Sequence, residues 1–207
     1  MKKRLKLGVL ASGSGTNLQA ILESCAAQRI NAEVKLVISD VPGAKALERA
    51  KKSGVATAVH ERNSYPSKKE YEAAIVADLK GHDVELVCLA GYMRIVGKEF
   101  LSAFPDRVIN IHPALLPSFP GLNAQQQAFE YGVKVSGCTV HFVDDQTDHG
   151  PIIAQAMVPV LENDTVESLQ QRILKEEHRI YSEAIQLYAE ERLIIEGRRV
   201  RIISSPL

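Results

Sequence analysis

Short apolar runs alternate with amphipathic stretches along most of the 207 residues. Apolar runs bounded by glycine or polar residues predict strands, and these are residues 5–11, 33–39, 55–59, 84–90, 107–112, 137–143 and 152–160. Apolar positions spaced by three and four predict helices, and these are residues 16–22, 44–52, 67–79, 124–131 and 164 to about 193. Alternating strands and helices predict an α/β, Rossmann-like fold, with a mostly parallel twisted sheet and helices on both faces.

The end of the chain and its length complete this outline. Residues 193–203 predict a hairpin that turns at Glu196-Gly197. The sequence contains no internal repeat and no low-complexity linker, and its length suits one domain over residues 1–207.

Charge and hydropathy exclude two classes of partner. The chain has 25 Lys and Arg against 25 Asp and Glu, so its formal net charge is zero and it carries no electrostatic footprint for nucleic acid or an anionic membrane. No apolar run approaches the roughly 18 residues that cross a bilayer. Residues 1–4 are basic, but the apolar run after them is broken at residues 12–15, which predicts a first strand and not a signal peptide.

The cysteines point to the cellular compartment. There are three, Cys25, Cys88 and Cys138, and they are widely spaced among apolar residues. An odd number in such surroundings predicts buried free thiols in a reducing environment. We therefore expect a cytoplasmic protein.

Asn110 and His112 end the predicted strand 107–112 and are the strongest candidates for chemistry. The carboxyl end of a strand in an α/β sheet faces the ligand crevice, and residues two apart point to the same side. Residues 113–121 contain three prolines and a glycine, which forbid a helix and predict a stiff loop. A histidine at a strand end is also often a hydrogen-bonded structural residue, so this stretch alone leaves both interpretations open.

Residues 12–15, Ser-Gly-Ser-Gly, connect the first strand to a helix that starts at Thr16. Free N–H groups at a helix start and the helix dipole both favour an anion, so this turn predicts a site for a monophosphate. The spacing matches neither a dinucleotide fingerprint nor a P-loop. The alternative is a tight turn in which Thr16 caps the helix.

The acidic loop 144–148 allows three interpretations. Its aspartates suit solvated turns. They could bind a metal with His141 or His149, but the spacing fits neither a calcium loop nor a zinc site, and we expect no metal. Asp148 could instead pair with His112 and keep the imidazole protonated.

Three further features need an explanation. Glu177 lies on the apolar stripe of the last helix, where a carboxylate needs a ligand or a partner such as Arg172. The loop Met93-Arg94-Ile95-Val96 suits the lining of an apolar pocket or ordinary core packing. Lys68 suits a solvated helix face or a contact to a bound anion.

Four motifs in this order resemble the phosphoribosylglycinamide formyltransferase family, the folate-dependent enzymes of purine synthesis. They are Ala11-Ser12-Gly13-Ser14-Gly15-Thr16-Asn17-Leu18-Gln19-Ala20, Leu89-Ala90-Gly91-Tyr92-Met93-Arg94-Ile95, Ile109-Asn110-Ile111-His112-Pro113-Ala114-Leu115-Leu116-Pro117, and Val140-His141-Phe142-Val143 with Asp148-His149-Gly150-Pro151. The similarity covers essentially the whole chain and implies the formyltransferase fold, with the ribonucleotide phosphate on the N-terminal half and the folate and catalytic loops on the C-terminal half.

The resemblance also implies roles for single residues. Its catalytic residues are Asn110, His112 and Asp148. Its ribonucleotide-binding residues are Gly15, Thr16, Asn17 and Glu177. Its folate-binding residues are Lys68, Met93, Arg94, Ile95, Val96 and Asn110, with the loop 144–148 closing the other side. The bond Leu116-Pro117 matches one that is cis in the family, whereas Ala114 and His149 depart from the residues common there.

The implied reaction moves the formyl group of 10-formyltetrahydrofolate to the amine of 5-phosphoribosylglycinamide. Asn110 and His112 stabilise the developing oxyanion, His112 acts as general acid, and Asp148 raises its pKa. The folate is a co-substrate, so no tightly bound cofactor or metal is expected. The expected partners are small-molecule substrates, and the protein is expected to be a monomer or a homodimer.

Three other functions remain open. Related enzymes hydrolyse 10-formyltetrahydrofolate or formylate methionyl-tRNA, but both normally carry extra domains, and the second is expected to be more basic. A noncatalytic module that binds a phosphate ligand is the alternative from another class.

Overall fold

A computed structural model describes residues 3–204 as two compact units that divide between Ile109 and Asn110. Met1 and Lys2, at the basic start of the sequence, lie outside the described residues. The prediction of one domain over residues 1–207 stays a prediction.

The first unit contains four parallel strands in the order β3-β2-β1-β4. They are β1 (Leu5–Leu10), β2 (Ala32–Ser39), β3 (Ala56–Val59) and β4 (Leu86–Leu89). Its helices are α1 (Thr16–Ala26), α2 (Lys45–Lys52), α3 (Lys68–Gly81) and α4 (Lys98–Ala103), with a short 3-10 turn at Arg62–Ser64. Val9 of β1 pairs with Val37 on one side and Cys88 on the other, and all three are fully buried. A continuous apolar run is what a strand needs when it is covered on both faces.

Strand β5 (Val108–His112) crosses the division, so Asn110 and His112 belong to the second unit. The other strands of this unit are β6 (Val135–Phe142), β7 (Ile152–Pro159), β8 (Leu193–Glu196) and β9 (Arg199–Ile202), and its helices are α5 (Ala124–Tyr131) and α6 (Val166–Ala189). β6 and β7 are antiparallel, β7 and β9 are parallel, and β8 and β9 form the predicted hairpin.

Helix α6 is shorter than predicted. It ends at Ala189, because Glu191 adopts a left-handed conformation with φ of +57° and Leu193 already starts β8. Its start follows the prediction, since Thr165 and Ser168 exchange the hydrogen bonds of a capping box.

Two other expectations need correction. Thr16 is not the cap of α1: Gly15 occupies that position, with a left-handed φ of +67° and no side-chain cap. Cys25 is only half-buried, whereas Cys88 and Cys138 are buried as expected, and within residues 3–204 none of the three forms a disulfide.

The α/β class and the mostly parallel strand pairing are confirmed. Within residues 3–204, no helix has the length and the apolar character that crossing a bilayer demands.

Candidate active site

The His112 imidazole lies between two hydrogen-bond acceptors in the second unit. Its Nδ1 is 3.3 Å from Asp148 Oδ2, and its Nε2 is 2.8 Å from the carbonyl oxygen of Phe119. The residue is buried, with 4% of its surface exposed. A carbonyl oxygen only accepts, so Nε2 carries the hydrogen that it donates to Phe119, and the Asp148 carboxylate lies at ion-pair distance from Nδ1.

Asp148 is fixed on both of its carboxylate oxygens. Oδ2 accepts the Gly121 N–H at 2.7 Å, and Oδ1 accepts from Asn110 Nδ2 at 3.4 Å. Its backbone φ of +50° lies in the left-handed region, as does that of Phe119 at +53°. Left-handed backbone is uncommon outside glycine and marks segments whose path the surrounding structure dictates. The structure thus brings Asn110, His112 and Asp148 together.

His141 sets the orientation of the Asn110 amide. Its Nδ1–H donates to the Phe142 carbonyl at 2.8 Å, so in the neutral ring Nε2 is an acceptor and lies 3.2 Å from Asn110 Nδ2. Burial lowers the pKa of His141 and thereby favours this neutral form. The two hydrogens of the Asn110 amide therefore face His141 and Asp148.

Within residues 3–204 no three His, Cys, Asp or Glu side chains are grouped to hold an ion. His149 instead lies with Nδ1 2.7 Å from Asp144 Oδ2. The Nη1 of Arg198, at the hairpin turn, donates to the His149 carbonyl at 2.5 Å.

The glycine turn lies in the first unit and is held by helix α2. The Gly13 carbonyl accepts the Ala46 N–H at 3.1 Å, and the Ser14 carbonyl accepts from Arg49 Nε at 2.9 Å. A Cβ on Gly15 would lie 2.7 Å from the Ala46 Cα, so only glycine fits there. The turn thus leads directly into α1 at Thr16, where helix-start N–H groups can receive an anion.

The predicted folate residues of the first unit share one cavity of about 330 Å³. Its lining is Arg62, Lys68, Tyr71, Glu72, Ile75, Tyr92, Met93, Arg94, Ile95, Val96 and Phe100. Met93 and Ile95 are 62% and 63% exposed, whereas Val96 is buried. Exposed apolar side chains beside a cavity are typical of a ligand site.

Glu177 is buried in α6 of the second unit, as its place on the apolar stripe predicts. Arg172, the alternative partner, forms a two-pronged ion pair with Asp164 at 2.6 and 2.7 Å.

Three contributors to the site were not predicted from sequence: the Phe119 carbonyl, the Gly121 N–H and the His141 ring as a partner of Asn110. Gly121 carried a signal, since a glycine after Pro120 suits its φ of +84°. The Leu116-Pro117 bond is cis, as the family resemblance implied.

Comparison with known proteins identifies the family. The formyl transferase family model matches residues 5–185. The chain is 46% identical over 180 residues to a phosphoribosylglycinamide formyltransferase of Bacillus subtilis (strain 168), covering 87% of this chain and 92% of that protein. The crystal structure of glycinamide ribonucleotide transformylase 1 from Symbiobacterium toebii superposes with a TM-score of 0.97 at 59% identity, covering 99% of this chain and 96% of the other.

A longer relative matches in one part only. The chain is 46% identical over 186 residues to the trifunctional purine biosynthetic protein adenosine-3 of Drosophila melanogaster, covering 89% of this chain but only 14% of that protein. The family model spans most of the chain, and the full-length relatives agree with it. The chain therefore belongs to the formyl transferase family.

Proposed function

We propose that this chain transfers the formyl group of 10-formyltetrahydrofolate to the amine of 5-phosphoribosylglycinamide, giving formylglycinamide ribonucleotide and tetrahydrofolate in purine synthesis. Family membership supports formyl transfer, and the names of the similar proteins support this acceptor. The observation that carries the proposal is the His112 ring, placed between the Asp148 carboxylate and the Phe119 carbonyl beside the Asn110 amide.

The reaction needs donors for a developing charge and a proton for the leaving nitrogen. The amine nitrogen attacks the formyl carbon, a C–N bond forms, and negative charge develops on the formyl oxygen. The bond from that carbon to N10 then breaks. N10 gains one proton while the former amine loses one, so atoms and charge balance. One oriented donor to such an oxyanion contributes on the order of 3 to 4 kcal/mol.

His112 and Asn110 supply these functions by exchanging contacts they already make. Protonated His112 gives up the Phe119 carbonyl and presents its Nε2–H to the reacting group, while Asp148 stabilises the imidazolium. Asn110 gives up its longer contact, 3.4 Å to Asp148, and keeps the 3.2 Å contact to His141. The freed N–H then meets the formyl oxygen.

Binding is divided among the other predicted residues. Gly15, Thr16 and Asn17 receive the phosphate, and Glu177 contacts the ribose or the glycinamide. Lys68 and the segment Met93 to Val96 receive the folate, which leaves as a product and is not a resident cofactor. The proposal also includes small-molecule partners, a cytoplasmic location and a protein that is a monomer or a homodimer.

The test is an absorbance assay of 10-formyltetrahydrofolate loss with and without 5-phosphoribosylglycinamide. Deformylation only with the ribonucleotide supports the transferase. Equal loss without it identifies a hydrolase, and no loss in either case identifies a binding module. His112→Asn is the control, since it should abolish any loss that the site catalyses.

A further inference from the structure

Asp40 is a buried carboxylate that the proposed chemistry does not use. It follows β2 directly, and its side chain is 4% exposed. Its oxygens accept two hydrogen bonds, from Ser12 Oγ at 2.5 Å and from Arg94 Nε at 2.6 Å. Burying a carboxylate costs desolvation free energy, which its hydrogen-bond and ion-pair partners must offset. The two partners of Asp40 therefore indicate what this carboxylate does.

Ser12 extends the contact from Asp40 to the cavity loop. Ser12 Oγ accepts the Met93 N–H at 2.9 Å, and the Ser12 N–H donates to the Gly91 carbonyl at 3.0 Å. A hydroxyl has one hydrogen, and here it points to Asp40. The lone pairs of Ser12 therefore face Met93, and Asp40 sets this direction.

The two segments joined in this way are the two proposed substrate sites of the first unit. Ser12 opens the turn that runs through Gly13 to Gly15 and receives the phosphate. Met93 and Arg94 line the cavity proposed for the folate. Asp40 thus bonds the first residue of the phosphate turn and Arg94 of the folate loop directly, and reaches Met93 through the Ser12 hydroxyl.

We propose that Asp40 is a positioning residue that couples the two substrate sites, so that binding of either substrate raises the affinity for the other. This proposal rests on the proposed function. Because Asp40 bonds both Ser12 and Arg94, a ligand that restrains one segment also restrains the other through this carboxylate, and the second ligand then loses less conformational freedom on binding. Coupling of this kind is reciprocal and is typically about 5-fold to 150-fold.

The experiment measures the affinity for 5-phosphoribosylglycinamide and for a nonreactive dideaza folate analogue, each alone and in the presence of the other, by titration calorimetry. In the wild type we expect each ligand to raise the affinity for the other at least fivefold. In Asp40→Asn this factor should fall towards one. The amide has one neutral oxygen where the carboxylate has two anionic ones, so Ser12 and Arg94 can no longer each donate to a charged oxygen. Asp83→Asn is the matched control, since Asp83 is exposed and forms an ion pair with Lys6, away from Ser12 and Arg94.

A second variant keeps the test valid if Asp40→Asn unfolds. Ser12→Ala leaves the Asp40–Arg94 ion pair in place but removes the contact to Met93, and should also abolish the coupling. A wild type that binds both ligands independently, or an Asp40→Asn protein with the full coupling factor, overturns the proposal and leaves the proposed function intact. A wild type that binds neither ligand overturns both.

Discussion

The catalytic role proposed for His112 depends on the negative charge of Asp148. Asp148→Asn keeps the shape of the side chain but removes the charge that stabilises the protonated ring 3.3 Å away. We expect kcat to fall about 10²-fold to 10⁴-fold, the usual range for general acid catalysis, with little change in either KM. Steady-state kinetics with both substrates varied will measure this.

The control for this variant is Asp145→Asn, in the same acidic loop, which should keep kcat near the wild-type value. Raised KM values with normal turnover at saturation would contradict the role assigned to Asp148.

His141 predicts a pH dependence of stability. Burial lowers its pKa in the folded protein below the ordinary value of 6.5, so as pH falls below that value the unfolded chain takes up this proton first. The His141 contribution is therefore fully present above pH 6.5 and is lost as pH falls towards the folded-state pKa. We expect the free energy of unfolding to fall more steeply from pH 7 to pH 5 in the wild type than in His141→Gln, measured by urea unfolding. Parallel pH profiles would show that His141 does not titrate in this way.

Side chains of the site could be found from the sequence, whereas its backbone groups could not. Asn110 and His112 stand out because two polar residues end an apolar strand. The Phe119 carbonyl and the Gly121 N–H are groups that nearly every residue carries. Both residues have a left-handed backbone, with φ of +53° and +84°, and the apolar pattern of the sequence does not predict where such turns direct a carbonyl or an N–H.

At the scale of elements, the glycine turn depends on a residue without a side chain. Gly15→Ala places a methyl 2.7 Å from the Ala46 Cα and adds roughly 1–2 kcal/mol of left-handed strain. The turn must shift away from α2, so we expect the affinity for 5-phosphoribosylglycinamide to fall at least about tenfold, which is 1.4 kcal/mol, with the folate analogue unaffected. Calorimetric titration will show the difference.

Gly54→Ala is the matched control for strain, because Gly54 also has a positive φ, +71°, but faces open space. If both variants bind the ribonucleotide as the wild type does, the turn is not the phosphate site.

The hairpin β8–β9 supports the catalytic loop through Arg198. Its guanidinium donates to the His149 carbonyl, and His149 in turn contacts Asp144 at 2.7 Å. We expect Arg198→Ala to raise the KM for the folate and lower kcat severalfold, because the loop that carries Asp148 loses a support. Stability should change by about 1 kcal/mol or less, since Arg198 is exposed. Its exposed neighbour provides the control variant Arg199→Ala, and equal kinetics in the two variants would contradict this role.

Elements were predicted best where apolar spacing is regular and ends sharply. Helix α5 matches at both ends, Ala124 and Tyr131. Helix α6 was extended to Leu193 because the strand after it is also apolar, so the pattern continues past the turn. Helix α4 was not predicted, since its six residues include only one buried side chain, Phe100.

At the scale of the whole molecule, the α/β class follows from the alternation of strands and helices, but the direction of each strand does not. β6 and β7 are antiparallel. The segment 143–151 between them is shorter than the dozen or so residues that a parallel crossover needs. The connection length, and not the apolar pattern, held this information.

Binding and catalysis can be separated for the whole protein through its stability. A ligand that binds only the folded state at 100 times its Kd raises the free energy of unfolding by about 2.7 kcal/mol. We expect 5-phosphoribosylglycinamide and the folate analogue each to raise the Tm of the wild type and of His112→Asn equally, because His112 acts on charge that develops during reaction. Gly15→Ala should respond to the folate analogue as the wild type does and less than the wild type to 5-phosphoribosylglycinamide. Differential scanning calorimetry measures all three proteins. A His112→Asn protein that no longer responds to either ligand would mean that His112 holds the substrates in the ground state, and the loss of turnover in that variant would then report binding.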